Sequence, residues 1–364
     1  MRFLTLTILL SVSVNLWAIV CGLPATIGGV SYCPANPSFQ TCSVDVPDAA
    51  GVLEPRYFCL SEPTAVEEAN AVFMFHGGGH TGKAVAKHWQ NQIANAFIVL
   101  PSSKRVGGKR KWNIVDELVP NFIDLKTVRG HSDTEFIRQV LLDLEATYSC
   151  NQAVPPVPCI QQYYAAGFSS GAGMVFQLST RNYFNGWFSG YGAVGNSIKE
   201  QMQQPAVVGT GNLTVPKIPV PMYYMVGTDE RVHLPINYIE DVISTGCAQP
   251  DFIDNSIDCF GAISIKNIPS RRLDTGRWLR QTNLAVNLST AALYDQSTDD
   301  TVIATQLYEP DPLLPGAQAV LVGSVINGGH YWPSINTAKP DPMHSEDFET
   351  SDEMVAFWTA YAGY

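Results

Sequence analysis

The residues whose types and spacing could do chemistry centre on Ser169, which lies in the segment GFSSG at positions 167–171. This GxSxG pattern follows the apolar run YYAAGF and precedes AGMVFQL, which places the serine on a turn between a predicted strand and a predicted helix. Such a turn exposes the hydroxyl, and glycines on both sides prevent clashes. The pattern alone occurs by chance, but this context predicts a nucleophile rather than an ordinary turn.

A serine nucleophile needs hydrogen-bond donors for the oxyanion that forms when it attacks a carbonyl group. The segment His76-Gly77-Gly78-Gly79 directly follows the apolar run AVFMF, upstream of the serine. A loop at that place can bring a backbone N–H beside that of Ser170. A glycine-rich turn without a catalytic part is the alternative interpretation.

His330 is the best-placed candidate for the general base that such a serine needs. It lies in NGGHYWP, just after the last apolar run, and it completes the order serine, acid, histidine. His233 lies too close to Asp229, the candidate acid discussed next, and His344 lies in a proline-rich tail. A solvated loop histidine is the alternative.

Asp229 is the candidate for the carboxylate that orients the imidazole. It lies in VGTDERV, directly after the apolar run MYYMV, so it falls at the carboxyl end of a predicted strand. An ionised carboxylate there would hold the imidazole tautomer and stabilise the imidazolium. Glu230 is the nearest rival, and Asp299 and Asp300 are weaker ones.

The elements that must position these residues alternate along the chain. Continuous apolar runs of strand length separated by helical patterns predict an α/β fold with a mostly parallel central sheet and crossover helices. The predicted strands cover 71–75, 96–100, 163–168, 186–194, 222–226 and 319–325. One predicted helix begins at Asp133, which is expected to be its N-cap, and two others cover 171–180 and 351–361.

Composition excludes several functional classes. Hydrophobic residues make up 46 % and charged residues 15 %, which indicates a globular chain rather than a disordered one. The net charge of −11 would repel nucleic acid and anionic lipid. No CxxC or HExxH motif is present, so neither a metal nor any other cofactor is predicted.

The first 22 residues read as a signal peptide, because Arg2 is followed by an apolar run with scattered Thr, Ser and Asn. A membrane anchor is the alternative, but the run is short for that purpose. Cleavage is plausible after Ala18 or after Gly22, and Cys21 survives only in the first case. We therefore expect a secreted, extracellular monomer with no membrane association after cleavage.

The eight cysteines suit an oxidising compartment. Cys150 with Cys159 and Cys247 with Cys259 are predicted to staple two surface loops. The pairing of the four N-terminal cysteines remains open, and sequence alone does not choose among the possibilities; these are Cys21, Cys33, Cys42 and Cys59.

The chain divides into three predicted regions, of which the signal peptide, residues 1–22, is the first. Residues 23–60 form a cysteine-pinned N-terminal extension, and residues 61–364 form the catalytic domain. A disulfide-bearing insertion at about 245–315, between the acid and histidine loops, would cover one end of the sheet as a cap.

Two tryptophans are candidate substrate-binding residues. Trp112 and Trp332 could line the acyl pocket, because rigid aromatic surface holds an aromatic ester or a polymer chain by stacking. Core packing is the alternative for both. Asn212 and Asn287 begin glycosylation sequons, which matter only if the host glycosylates secreted proteins.

The motifs FHGGG, KWN, SDTEFIRQVLLDL, GFSSG, VGTDERV and GGHYWP together resemble the secreted α/β-hydrolases of the polyhydroxybutyrate depolymerase and feruloyl esterase type, a group that includes acetyl xylan esterases. The resemblance covers most of residues 70–362. It implies an α/β-hydrolase fold with helices on both faces of the sheet, and an oxyanion hole formed by the N–H groups of Gly78 and Ser170. The chain departs from this family in its long 245–315 segment and in Ser334, where the family usually has glycine.

The resemblance implies a serine carboxylic-ester hydrolase that forms an acyl-enzyme. Its substrates would be feruloyl or acetyl esters on polysaccharides, or a polyester such as polyhydroxybutyrate, and the residues do not choose among them. A catalytically silent binding protein of the extracellular surface is the alternative.

Overall fold

The computed structural model describes the following parts of the chain. The described residues are 19–48, 51–66, 68–106, 109–112, 133–148, 159–180, 184, 186–196, 206–208, 211–213, 219–227, 279, 282–295, 299, 301–326, 328–334, 345–347 and 349–364.

Strands dominate the described elements. They are β1 (Val20–Leu23), β2 (Thr26–Ile27), β3 (Val30–Ser31), β4 (Gln40–Pro47), β5 (Leu53–Ser61), β6 (Ala69–Phe75), β7 (Ala96–Pro101), β8 (Arg105–Val106), β9 (Lys109–Arg110), β10 (Ile160–Phe168), β11 (Phe188–Val194), β12 (Ala206–Val208), β13 (Gly211–Leu213), β14 (Met222–Gly227), β15 (Ala285–Tyr294), β16 (Val302–Pro310) and β17 (Val320–Ile326). The helices are α1 (Asp133–Thr147), α2 (Ser170–Thr180) and α3 (Thr350–Tyr361), with 3-10 turns at Gly82–Ala84 and Ala86–Gln92.

Eleven of these strands form one mixed sheet, in the order β1-β4-β5-β7-β6-β10-β11-β14-β17-β16-β15. The six strands from β7 to β17 in this order run parallel, and the strands beyond them on either side join antiparallel. The parallel strands are buried along nearly their whole length, which explains their continuous apolar sequences. The predicted α/β class with a mostly parallel centre is confirmed in this part of the sheet.

Side chains of the central strands divide between two buried clusters. Along β6, Phe73 and Phe75 belong to one cluster and Val72 and Met74 to the other, as the alternation of a strand requires. The first cluster takes side chains from α1 and α2, and the second takes side chains from α3 and the 3-10 turn that carries Trp89. The sheet that holds the candidate site residues is therefore fixed by packing on its two sides.

The start of α1 is tied to the sheet by a buried ion pair. Asp133 was expected to cap the helix; it is instead the first helical residue, and its carboxylate accepts from Arg56 of β5. The Arg56 guanidinium also lies 4.5 Å from the ring centre of Phe136. A buried charge requires such a partner, so this pair fixes where α1 meets the sheet.

The predicted N-terminal extension contributes strands to the central sheet. Most of β5 and all of β4 fall within residues 23–60, and both strands are members of the central sheet, where β5 pairs with β7. The last four residues of β5 are all buried, whereas a hairpin on the protein surface would expose every second residue. These two strands are therefore continuous with the sheet of the predicted catalytic domain, and the division at residue 61 stays a prediction.

The predicted insertion also needs correction over its second half. Residues 285–294 and 302–310 form β15 and β16, a hairpin that extends the sheet beyond β17. Polar residues interrupt the apolar sequence of these strands, as in TVIATQLYE, so no long apolar run marks this edge. The segment 228–278, with Cys247 and Cys259, lies outside the described residues, so the proposed cap is left without a structural description.

Two disulfides join the N-terminal strands. Cys21 is bonded to Cys42 and Cys33 to Cys59, which resolves the pairing that the sequence left open. Cys159 is also disulfide-bonded, and Cys150, its predicted partner, lies outside the described residues. The first bond requires Cys21 in the mature chain, so of the two cleavage positions only the one after Ala18 preserves it.

Removal of the Cys33–Cys59 bond should destabilise the protein. Both cysteines are buried and close a loop of 26 residues, so replacing both with alanine is expected to lower the free energy of unfolding by about 3 kcal/mol. Urea unfolding under non-reducing conditions measures the change, and peptide mapping without reduction checks that the parent protein carries this bond. A loss below about 1 kcal/mol would show that the bond adds little to the sheet.

Candidate active site

The candidate catalytic residues follow strands that end at one edge of the sheet. β6 ends immediately before His76, and β10 ends immediately before Ser169. β17 ends at Ile326, four residues before His330. Since these strands are parallel, their carboxyl ends lie on the same side, and residues far apart in sequence meet there.

Ser169 occupies a strained turn. Its φ is 55°, in the left-handed region that side chains other than glycine rarely adopt. Its N–H donates to the carbonyl of Val194 on β11, and its carbonyl accepts from the side-chain amide of Asn196, which hold the turn in place. A nucleophile elbow has this geometry: strand, one strained residue, then helix α2.

The glycines of GFSSG are required by close approaches. A Cβ at Gly167 would lie 2.3 Å from the carbonyl oxygen of Gly171, and a Cβ at Gly171 would lie 2.0 Å from that of Phe75. Neither position has room for a side chain. These contacts bring the start of α2 against the end of β6, and they explain why the serine turn needs glycine on both sides.

The structure brings Ser169 and His330 together. Oγ of Ser169 lies 2.7 Å from Nε2 of His330, a distance at which the hydroxyl donates to a neutral imidazole. The ring of Phe168 lies against the imidazole, with ring centres 4.9 Å apart. A hydroxyl held against a base in this way can be deprotonated as it attacks an electrophile.

The loop of His330 lies directly against the end of β14. A Cβ at Gly227 would come within 2.5 Å of the carbonyl oxygens of Gly328 and Gly329, so only glycine fits there. Asp229, two residues further on, lies outside the described residues. The end of β14, two residues before Asp229, is therefore in contact with the loop that carries His330.

Asp299, the weaker rival for the acid, has bonds that tie loops together. Its Oδ1 accepts from the N–H and the hydroxyl of Thr301, and its Oδ2 accepts from the N–H of Glu346 at 2.9 Å. These bonds fasten the turn before β16 to the segment at 345–347. Such a carboxylate is occupied with backbone donors, as expected of a structural aspartate.

The HGGG loop lies beside the serine. A Cβ built at Gly77 would be 3.4 Å from Cβ of Ser169, and one at Gly78 would be 3.7 Å from Oγ of Ser170. Gly79 has a φ of 85° and donates its N–H to the carbonyl of Arg110. The backbone of residues 77–78 thus adjoins the first turn of α2, where N–H groups are free of helical partners.

His76 holds this loop as a neutral imidazole. Its Nε2 accepts from the N–H of Ser103, so the proton lies on Nδ1, which donates to the carbonyl of Gly77 at 2.7 Å. Its own carbonyl accepts from the indole N–H of Trp112. Complete burial lowers the pKa of His76 to about 4, because the charged form cannot be solvated.

This burial predicts a pH effect on stability. The unfolded chain binds a proton at His76 near its ordinary pKa of 6.5, whereas the folded protein does so only near 4. As the pH falls between these values the unfolded state binds more protons, so the folded state loses up to about 3 kcal/mol from this group.

The measurement is the free energy of unfolding of the parent protein and of His76→Asn from above pH 7 to about pH 4. The difference between the two proteins should shrink as the pH falls. Asp143, whose pKa burial raises to about 6, acts in the opposite direction but is common to both proteins and cancels. A pH-independent difference would mean that His76 has the same pKa in the folded and unfolded states.

Trp112 and Trp332 are both buried beside the candidate site, and their role in substrate binding stays a prediction. Trp112 is fully buried, with its ring 5.3 Å from that of Phe75 and its N–H bonded to the His76 carbonyl. Trp332 is 3 % exposed and packs on His88. Each ring lies next to a candidate site loop.

Two polar residues near the site escaped the sequence analysis. Asn196 holds the carbonyl of Ser169 from the end of β11, and Glu349 contacts the segment that follows His330. The position of Asn196 directly after a strand that ends at the site edge was the available signal. Among the described residues, no group of three or more His, Cys, Asp or Glu side chains could hold a metal ion.

No family model and no curated protein matches this sequence. Solved structures that resemble it include a Bacillus cereus carboxylesterase (11 % identity, 52 % of this chain and 78 % of that one, TM-score 0.32). Others are esterase PE8 (20 %, 55 % and 84 %, 0.31) and poly(aspartic acid) hydrolase-1 from Sphingomonas sp. KT-1 (14 %, 63 % and 80 %, 0.35). Similarity at this level carries no information about activity.

Strand order and the serine turn decide the fold. An antiparallel strand followed by parallel strands, with the serine turn after β10 and the histidine loop after the last parallel strand, is the arrangement of an α/β-hydrolase. The fold is that of an α/β-hydrolase. Across the described residues, no helix is long and apolar enough to cross a membrane.

Proposed function

We propose that this chain is a secreted serine carboxylic-ester hydrolase. The observation that carries the proposal is the 2.7 Å contact between Oγ of Ser169 and Nε2 of His330, made on a strained turn next to a glycine-rich loop. Nucleophile, base and candidate oxyanion donors are all required for acyl transfer, and this edge of the sheet supplies residues for each role.

The chemistry follows from the geometry in two half-reactions. Ser169 attacks the ester carbonyl while its proton passes to Nε2 of His330, and the oxyanion is held by the N–H groups of Gly78 and Ser170. His330 then protonates the leaving alcohol as the C–O bond breaks. Water, deprotonated by His330, attacks the acyl carbon; the bond to Oγ of Ser169 then breaks, His330 returns the proton to Oγ, and the acid is released. Asp229 is assigned the role of orienting the imidazole.

The proposed substrates are feruloyl or acetyl esters on polysaccharides, or a polyester such as polyhydroxybutyrate. Support for this class comes from the sequence motifs shared with esterases of that type. The net charge of −11 agrees with a substrate that is neither a nucleic acid nor an anionic lipid.

A panel of esters tests the function and narrows the substrate. The full-length secreted protein is assayed on p-nitrophenyl acetate, methyl ferulate, acetylated xylan and a polyhydroxybutyrate film. Hydrolysis of the small ester and of at least one of the other three is the expected result. No hydrolysis of any of the four would overturn the proposed function.

Secretion is part of the proposal. The Cys21–Cys42 and Cys33–Cys59 bonds support it, because disulfides persist in oxidising compartments. N-terminal sequencing of protein recovered from the culture medium is expected to begin at Ile19, directly after Ala18. Retention of the chain inside the cell would contradict this assignment.

A further inference from the structure

A buried carboxylate lies behind the loop that carries His330. Glu349 is 7 % exposed and precedes the first residue of α3. Its Oε1 accepts from the indole N–H of Trp332 at 3.3 Å and from the hydroxyl of Ser351 at 3.1 Å. Its Oε2 accepts from the hydroxyl of Ser334. Two of these three donors lie two and four residues after the histidine.

Backbone bonds tie the same loop to the same helix end. The carbonyl of Pro333 accepts from both the N–H and the hydroxyl of Thr350, the first residue of α3. The N–H of Ser334 donates to the carbonyl of Ser345. Residues 332–334 are therefore held by side-chain and backbone bonds whose partners cluster around the start of α3.

The helix that provides this attachment is fixed to the sheet. Met354, Phe357 and Trp358 of α3 are buried in the second cluster. Cβ positions at Gly190 and Gly192 of β11 would collide with Trp358 and Met354, so the helix lies directly on that strand. A loop attached to α3 is thus positioned relative to β11, whose Val194 carbonyl also holds the N–H of Ser169.

We propose that Glu349 is a positioning residue for His330: by binding Trp332 and Ser334 it fixes the loop that presents the imidazole to Ser169. The inference rests on the proposed function and extends it. Burial of a carboxylate is costly unless its oxygens are satisfied, so the three donors and Glu349 hold one another in a single arrangement.

This role accounts for the serine at position 334. Glycine or alanine at this position would lack the hydroxyl that donates to Oε2 of Glu349. In this chain the serine side chain and the buried carboxylate form one unit. Ser334 is consequently expected to matter as the partner of Glu349 rather than through any contact with substrate.

Four variants test the proposal in the full-length protein. Glu349→Ala removes all three side-chain bonds, Glu349→Gln keeps an oxygen acceptor for Trp332, and Ser334→Ala removes one hydroxyl. Glu353→Ala is the matched control, because Glu353 lies one turn further along α3 and burial raises the pKa of both Glu349 and Glu353. The measured quantities are kcat and KM on p-nitrophenyl acetate, with kcat expressed per active site titrated by a fluorophosphonate.

Positioning predicts a loss in kcat per titrated site. We expect about 10- to 100-fold for Glu349→Ala and a smaller loss of about 3- to 10-fold for Ser334→Ala, with KM changed less than about threefold. Glu349→Gln should recover most of the activity, and Glu353→Ala should stay within about twofold of the parent. Titration matters because a purely structural role lowers the number of active sites and leaves kcat per site unchanged.

Three results would overturn the proposal. They are an unchanged kcat per site in Glu349→Ala, an equal loss in Glu353→Ala, and, if Glu349→Ala does not fold, an unchanged kcat per site in Ser334→Ala. A parent protein that neither hydrolyses the ester nor reacts with the fluorophosphonate would instead refute the proposed function, and the positioning role would fall with it.

Discussion

Replacing Ser169 with alanine is expected to lower kcat/KM for p-nitrophenyl acetate by about 10⁴-fold or more. The substitution removes the only atom that forms the acyl-enzyme in the proposed mechanism, and what remains is binding and the oxyanion hole. The strained φ of 55° makes alanine no worse than serine for the backbone, so the fold should persist.

Ser179→Ala is the matched control for this substitution. Ser179 lies on the same helix α2, is buried, and donates its hydroxyl to the carbonyl of Phe176, away from the site. It should keep activity within about threefold of the parent at a similar folded fraction. Near-parental kcat in a folded Ser169→Ala protein would remove Ser169 from the mechanism.

Asp229→Asn is expected to lower kcat by about 10⁴-fold, because an amide would hold the wrong imidazole tautomer. Asp299→Asn provides the comparison within the same protein. Its carboxylate bonds Thr301 and the N–H of Glu346, so that change should cost about 1 to 3 kcal/mol of stability and leave kcat per folded molecule within a few-fold.

The two aspartates are distinguished by activity and stability measured together. Steady-state assays on p-nitrophenyl acetate and urea unfolding of both variants give the two quantities. A large loss of kcat in Asp299→Asn, with Asp229→Asn nearly unaffected, would reverse the assignment of the acid.

The parallel core and the serine turn were predictable because their causes are local. Runs such as AVFMF and AFIVL are continuous because strands buried on both faces have no polar side. The glycines of GFSSG are required because the backbone of this turn approaches itself and the end of β6 closely. The meeting of Ser169 and His330 also follows from local patterns, since both follow parallel strands that end at one edge.

Features that depend on partners distant in sequence were not predictable. The 285–310 hairpin joins an edge of the sheet, where polar residues interrupt the apolar runs. The bonds Cys21–Cys42 and Cys33–Cys59 depend on which N-terminal strands pair. Trp332 is buried against Glu349 and His88, which are distant from it in sequence and belong to no motif that would have indicated the contact.

Reaction with a fluorophosphonate, followed by peptide mapping, tests the central claim most directly. The reagent forms a covalent adduct with a serine only where a base activates the hydroxyl. One adduct is expected, on the peptide that contains Ser169, and the rate of labelling should fall by orders of magnitude in His330→Ala. A folded parent protein that forms no adduct, or forms it on another serine, would show that Ser169 is not an activated nucleophile.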